Sequence, residues 1–177
     1  MADDFLRALP APTGELSLIE ESIVEEALAY SRRSPRLRVI LPFHKAPEDP
    51  LHRMLNAAQP GTYVRPHRHL DPPKSETWVL LRGRVLFFTF EDDGSIRASV
   101  ELAAGSPRFG VDLVPGVYHT FLVLEPDTVI FEVKNGPYAK ETDKSFAPWA
   151  PPEGDANAAE YLDGLREAHR TRVAQNV

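Results

Sequence analysis

Residues 61–83 read GTYVRPHRHLDPPKSETWVLLRG: two histidines one residue apart, then a glutamate, with a glycine at each end. In an extended strand successive side chains alternate faces, so His67 and His69 project the same way with Cα atoms roughly 6.5–7 Å apart. Two imidazoles at that spacing can converge on one ion through bonds of about 2.0–2.1 Å. Pro66 lacks an N–H and suits an edge or the first residue of a strand. The loop 70–75, with Pro72 and Pro73, lets the chain re-enter the sheet, so that Glu76 is expected from the adjoining strand as an anionic oxygen ligand. Taken alone, the histidine pair reads more naturally as a surface or hydrogen-bonded polar turn than as a metal site.

A second histidine cluster follows some 50 residues on, in GVDLVPGVYHTFLVLEP, residues 110–126. Pro115-Gly116 makes a turn, and Val117, His119, Phe121 and Val123 then share one strand face. Burying an imidazole among such neighbours costs on the order of 1–3 kcal/mol unless a hydrogen bond or a metal compensates. His67, His69, Glu76 and His119 together make a ligand set of three nitrogens and one carboxylate for one divalent ion. Such a set leaves about two positions free on an octahedral ion. Donors of this kind suit Zn, Fe, Mn, Ni or Cu about equally, and no residue here selects among them.

Around these motifs, residues 37–133 carry short Val-, Leu- and Phe-rich runs broken by Gly, Pro and Asp every 8–12 residues or so, the texture of an antiparallel sandwich or barrel. The clearest hairpin pairs residues 84–90 with 96–102 through a turn at Asp93-Gly94, which tolerates positive φ. Helices flank the β region. At the N-terminal side, SLIEESIVEEALAYSRR begins with Ser17 and Glu20 at capping-box spacing, repeats Leu18, Ile19, Ile23, Val24, Ala27 and Tyr30 near helical period, and stops before Pro35. At the C-terminal side, NAAEYLDGLREAHRTRV offers Tyr161, Leu165, Ala168 and Val173 to one face. The expected organisation is a helical segment 1–36, a barrel 37–150 and a helical tail 151–177, built as one globular unit.

Composition narrows the function classes. With 177 residues, 42% of them hydrophobic, there is material for one core. No apolar run approaches the roughly 20 residues of a membrane span. The opening MADDFLRALPAP carries early acidic residues and no apolar signal-peptide core, so a cytoplasmic protein is expected. Zero cysteines exclude disulfides and thiolate ligands. A net charge of −6 without a basic stripe argues against a nucleic-acid partner.

Gly61, His67, His69, Glu76 and Gly83 resemble the first motif of the cupin superfamily, and Gly110, Gly116 and His119 resemble its second. Six residues separate His69 from Glu76, where the family usually has three or four. Val114 stands where the second motif usually has proline, and Val123 replaces its trailing asparagine. A more specific resemblance, to WbuC-type cupin-fold metalloproteins, is carried by SPRLRVILPFH, HRMLNAAQPGTYVRPHRH and FEVKNGPYAKETDKSFAPWAPPEG, and covers residues 34–154. It implies an all-β double-stranded β-helix, a jelly-roll barrel around one divalent transition metal, and a role in bacterial surface polysaccharide biosynthesis. A carbohydrate ligand and a sugar isomerase or epimerase activity are then expected. An iron-dependent oxygenase and a non-catalytic ligand-binding protein are the rival readings, and a homodimer is compatible with the architecture.

Arg65 shares strand parity with the histidines and is a candidate for holding an anionic ligand group, although a salt bridge at the barrel mouth is the more ordinary reading. Lys134 is a second such candidate, although Glu132 and Lys134, opposite Phe131 and Val133, read more naturally as the outer face of a half-buried sheet. Tyr138 is the candidate proton-transfer residue, within a segment whose Asp143, Lys144, Phe146 and Trp149 form either a lid over the barrel mouth or an anchored tail. Arg82 and Arg84 are expected to be solvated beside Gly83. His44, His52 and His169 have no partner at ligand spacing.

Overall fold

The computed structural model describes residues 6–175; residues 1–5 and 176–177, on which part of the N-terminal and C-terminal expectations fall, lie outside the described residues. A helix α1 (Glu21–Arg33) precedes nine strands: β1 (Arg38–Pro42), β2 (Leu51–Ala58), β3 (His67–Arg68), β4 (Glu76–Arg82), β5 (Arg84–Phe90), β6 (Ile96–Ala103), β7 (Gly110–Leu113), β8 (Tyr118–Val123) and β9 (Thr128–Asn135). A short β10 (Ser145–Phe146) and a second helix α2 (Ala158–Gln175) complete the chain. The strands form two antiparallel five-stranded sheets, ordered β1-β2-β9-β4-β7 and β10-β3-β8-β5-β6. This is the expected double-stranded β-helix with a helix at each end. The hairpin of β5 and β6 turns through Gly94, whose φ is +91°.

Alternation along the strands divides the apolar residues among three layers. On the outer face of the first sheet, Val39, Leu41, Leu55, Ala57 and Val129 pack against Val24, Ala27 and Leu28 of α1. On the outer face of the second sheet, Leu86, Phe88, Phe90 and Leu122 pack against Leu162 and Leu165 of α2 and against Ala147 and Ala150 of the tail. Between the sheets, Leu80, Val85, Phe87, Leu102, Val123 and Ile130 close one end of the barrel with apolar side chains. The inward residues at the other end are polar, because His119 and Glu76 begin the strands whose later residues are Val123 and Leu80.

Several local expectations change. The Ser17 capping box does not form: α1 starts at Glu21 with Glu20 as N-cap and no side-chain capping bond, while Leu18 and Ile19 are exposed. The docked stripe is Val24, Ala27, Leu28 and Ser31. Continued backwards at the same spacing it passes Glu21 and Glu20 and, a second turn back, Ser17, so a longer helix would press polar groups onto the sheet. On α2 the buried face runs through Leu162 and Leu165, and Val173 is exposed. Arg82 and Arg84 are solvent-accessible, as expected, and also form surface ion pairs: Arg82 bridges Glu21 and Glu25 of α1, and Arg84 reaches Glu101 and Glu125. His169 also has a partner, Ser99 Oγ at 2.9 Å from Nδ1.

Gly83 sits between β4 and β5 with φ +78°, and a Cβ there would lie 2.2 Å from Thr128 Oγ1 and 2.8 Å from Thr128 Cα. Thr128 Oγ1 donates to Glu125 O at 2.8 Å, so the clash has no easy relief. Gly83→Ala is expected to cost about 2–3 kcal/mol, a fall in Tm of roughly 5–10 °C by thermal denaturation, without direct contact with the site.

Candidate metal centre

β3 and β8 lie side by side in the second sheet, with His67 opposite His119. His69 follows β3 immediately. Glu76 opens β4 in the other sheet, so it reaches the histidines from across the barrel and not, as the spacing suggested, from an adjoining strand. All four side chains are buried, between 1% and 4% exposed. His67, His69 and His119 offer ring nitrogens that all lie within 4.8 Å of one another.

Each imidazole is oriented by a backbone carbonyl. His67 Nδ1 donates to Arg65 O at 3.0 Å, His119 Nδ1 donates to Val117 O at 3.0 Å, and His69 Nδ1 donates to Asp143 O. A carbonyl only accepts, so each Nδ1 carries the proton and each neutral ring presents a lone pair at Nε2. His69 Nε2 and His119 Nε2 stand 2.9 Å from Glu76 Oε1 and Oε2 respectively. In the neutral rings these are acceptor–acceptor contacts, and His69 Nε2, His119 Nε2 and Glu76 Oε2 are buried without a hydrogen-bond partner. Lone pairs gathered this closely repel unless a cation lies between them. Donors bonded at about 2.0–2.1 Å and at right angles to one ion are separated by ~2.9 Å. The buried group can therefore bind a divalent metal, and the donor set fits one.

Burial keeps the His67 imidazole well below its ordinary pKa and hence neutral. Burial works against ionisation of Glu76, but hydrogen bonds from His119 and His69 whenever those rings carry a second proton, and the charge of the Lys134 ammonium, outweigh it and hold the carboxyl well below the usual range.

Behind this group lies a network of buried charge. Lys134 is 6% exposed and stands 3.5 Å from Glu76, 3.6 Å from Glu132 and 3.5 Å from Asp143. Lys74, 2% exposed, binds Asp143 Oδ1 at 2.8 Å and also reaches Pro137 O. Asn56 Nδ2 donates to Glu132 Oε2 at 2.8 Å. Desolvation, helped by Glu76, raises the Glu132 pKa. Desolvation would lower that of Lys134, but the surrounding carboxylates reverse the effect and raise it.

Glu132 and Lys134 therefore face the interior, contrary to the half-buried outer face expected for them. The reason is α1: its apolar stripe covers Leu55, Ala57 and Val129 on the outer face, with Phe131 packed beside them. The polar members of β9 are left to the barrel.

A cavity of about 620 Å³ opens from the centre, lined by His67, Glu76, Glu132, Lys134, Trp78 and Arg65 among others. Arg65 donates to Ala147 O at 2.7 Å and lies over the Phe146 ring. Tyr138 is on the cavity wall and 44% exposed, and no hydrogen bond joins its hydroxyl to the histidines among the described residues. The tail divides the roles proposed for it. Asp143 and Phe146 adjoin the histidines, whereas Trp149 packs on Phe90 at 5.0 Å and donates to Asp92 O. His44 and His52 stack at 4.0 Å on the cavity wall, a pairing of which their sequence separation gives no sign. Lys74 and Asn56 are functional neighbours that sequence reasoning misses. Lys74 has the strand parity of Glu76 and Trp78, and that is the signal available for it.

An uncharacterized conserved protein from Klebsiella pneumoniae subsp. pneumoniae MGH 78578 with a double-stranded β-helix domain superposes with a TM-score of 0.50 at 19% identity, over 70% of this chain and 93% of its own. The fold is thus that of the double-stranded β-helix, and the structural neighbours are cupin proteins. They include KdgF from Halomonas sp. (TM-score 0.47, 16% identity, 62% of this chain and 87% of that one). They also include a single-residue variant of oxalate decarboxylase from Bacillus subtilis (TM-score 0.45, 15% identity, 55% of this chain), of whose length the match spans 24%. A domain of unknown function, DUF6016, matches residues 19–102. No curated protein matches the chain. No helix among the described residues is long and apolar enough to cross a membrane.

Proposed function

We propose that His67, His69, Glu76 and His119 hold one divalent transition metal and that the protein is a metal-dependent enzyme acting on a small polar carbohydrate. The WbuC-type resemblance implies a cytoplasmic role in bacterial surface polysaccharide biosynthesis, with isomerisation or epimerisation as the favoured reaction. The observation that carries the metal is the convergence of unprotonated Nε2 atoms on Glu76, 2.9 Å away, with every Nδ1 committed to a carbonyl. When bound, the ion supplies Lewis-acid polarisation of a ligand carbonyl or hydroxyl. Arg65 and Lys134 line the cavity and serve the ligand's polar groups, and Tyr138 provides a hydroxyl able to give or take a proton at the rim.

The second reading is a binding protein without turnover. It is favoured by the commitment of Glu132, Lys134 and Asp143 to one another, which leaves no dedicated acid and base pair. The two separate by solvent exchange. Metal-stripped protein reloaded with Zn, Mn, Fe(II), Ni or Cu is incubated with nucleotide sugars in D₂O and followed by NMR. Deuterium entering at a ring carbon only in a metal-loaded sample is the expected result. Ligand binding without exchange in any sample supports the second reading.

A further inference from the structure

Two histidines on the cavity wall take no part in the metal centre. His44, in the loop 43–50 between β1 and β2, and His52, the second residue of β2, stack face to face with ring centroids 4.0 Å apart and planes 5° from parallel. Each ring has one N–H committed to the backbone. His44 Nδ1 donates to Arg53 O at 3.2 Å, and His52 Nε2 donates to Pro47 O at 3.1 Å. A carbonyl only accepts, so the rings meet as neutral imidazoles, and a further proton can enter only at the other nitrogen of either ring.

The stack underlies a seam. Pro47 O also accepts from Tyr138 N at 2.7 Å, and Pro50 O accepts from Gly136 N at 3.0 Å, so loop 43–50 and the start of segment 136–144 are joined beside the His52 ring. The fit there is close: a Cβ on Gly136 would lie 1.8 Å from Asp49 O and 2.9 Å from His52 Nε2. Both sides of the seam line the cavity, with His44 and Pro47 on one and Tyr138 on the other. The segment is fastened independently by Lys74, which donates to Pro137 O and to Asp143. A change at the histidines therefore acts on the loop and leaves Asp143 in place.

Little negative charge is available to the pair. His52 is buried, Lys134 stands opposite it on β9, and Lys74 faces it from the loop before β4. The carboxylates beside those lysines, Glu132 and Asp143, are held by them. From the loop, Asp49 faces both rings, but its Oδ2 already accepts from Lys45 N and Ala46 N at 2.8 and 3.4 Å. The cavity wall beyond adds Lys45, Lys140 and the phenol of Tyr138. Two positive rings stacked among such neighbours would repel strongly. Burial first, then His44, Lys134 and Lys74, hold the His52 imidazole below its ordinary pKa and outweigh its bond to Pro47 O.

We infer that the stacked pair makes the seam a pH-sensitive gate: with both rings neutral, loop 43–50 closes on segment 136–144, and with a proton on the pair the loop withdraws and the cavity mouth widens. This goes beyond the proposed function and needs neither the metal nor turnover. The closed seam disfavours the proton, whereas in the open one His52 meets water and takes it at about the ordinary 6.5. Closure is thus fully present above that value and weakens as pH falls from there towards the lower value of the closed form.

Residue-resolved amide exchange of the full chain, corrected for the intrinsic effect of pH, is followed from about pH 7.5 to about pH 5 together with the ring protons of His44 and His52. Protection of the Gly136 and Tyr138 amides is expected to fall at least ~5-fold, with a midpoint shared by the His52 ring, while the amides joining β5 to β8 keep theirs. His52→Gln offers Pro47 O a donor that does not titrate and is expected to abolish the fall. His44→Phe keeps an aromatic ring in the stack without its charge and is expected to shrink it. A parent protein whose seam amides stay protected throughout overturns the inference, as does a fall that persists unchanged in folded His52→Gln. A fall shared by the β5–β8 amides is general destabilisation and also overturns it. Where neither variant folds, the parent decides alone: the His52 ring and the seam amides titrating together support the gate, and separate midpoints overturn it.

Discussion

Replacing His67 and His119 together by alanine is expected to abolish metal retention. Loss of a residue that merely orients a ligand typically costs 10–100-fold in affinity, so removing two ligands is expected to cost at least ~10³-fold. Elemental analysis after dialysis, or competition with a chromophoric chelator, reads this directly. The same variant carries a second signature. Wherever the His119 ring of metal-free protein is neutral, its Nε2 faces Glu76 Oε2 at 2.9 Å with no proton between them, and the alanine variant then loses packing but also loses repulsion. Its metal-free Tm is expected to stay within a few degrees of the metal-free parent, while added metal raises the Tm of the parent alone. Metal content that survives the double substitution would remove the basis for the proposed enzyme.

Lys74→Met is expected to be the most destabilising single change near the site. It leaves the Asp143 carboxylate, 2% exposed, without its 2.8 Å partner, and strips Pro137 O of its donor. Breaking a buried ion pair from one side costs about 3–5 kcal/mol, and because Lys144 and Lys134 stay 3.2 and 3.5 Å from Asp143 the expected loss is at the lower end, a Tm fall of roughly 6–12 °C in a chain of this size. Asp143 also accepts the His69 Nδ1 proton through its main-chain carbonyl, so metal affinity is expected to fall about 10–100-fold in the molecules that remain folded. The double variant Lys74→Met/Asp143→Leu should be less damaging than the sum of its single changes, since it buries no lone charge. Additivity in that cycle would show that the pair is not coupled.

The pH dependence follows the same pair. Burial alone would raise the Asp143 carboxyl, but the charges of Lys134 and Lys144 and the bond from Lys74 depress it far below the usual range. A group with a depressed folded pKa contributes stability that is fully present above its unfolded value of about 3.9 and is lost as pH falls towards the folded one. The contribution of Asp143 should therefore be constant through neutral pH and disappear only in strong acid.

How much of this is legible in the sequence depends on the range of each signal. The β5–β6 hairpin is local, written in Asp93-Gly94 and two strand-like runs, and is readable. His67 and His69 are readable as one face because parity is a property of neighbouring residues. Which face is inside is not local. β9 shows apolar Val129, Phe131 and Val133 alternating with Glu132 and Lys134, and only the docking of α1, about a hundred residues earlier in the chain, turns the apolar side outward. The same limit hides Lys74. Its partner lies 69 residues away, and a lysine after two prolines reads as a solvated loop residue until Asp143 is placed against it. Glu76 is identifiable by motif but falls on the wrong side of the barrel when read from spacing, since spacing does not say which sheet the chain enters after residues 70–75.

The two-residue strand β10 and the carbonyl of Asp143 have a consequence for the order of assembly. Residues 19–102, the stretch matching a described domain, contain His67, His69 and Glu76 but neither His119 nor the carbonyl that orients His69. A nascent polypeptide leaving the ribosome would thus carry an incomplete chelator until about residue 147 had emerged and Phe146 had paired with His67. Under the proposed metal reading, loading then becomes a late, essentially post-translational event, governed by whichever cation is most available to the newly finished chain.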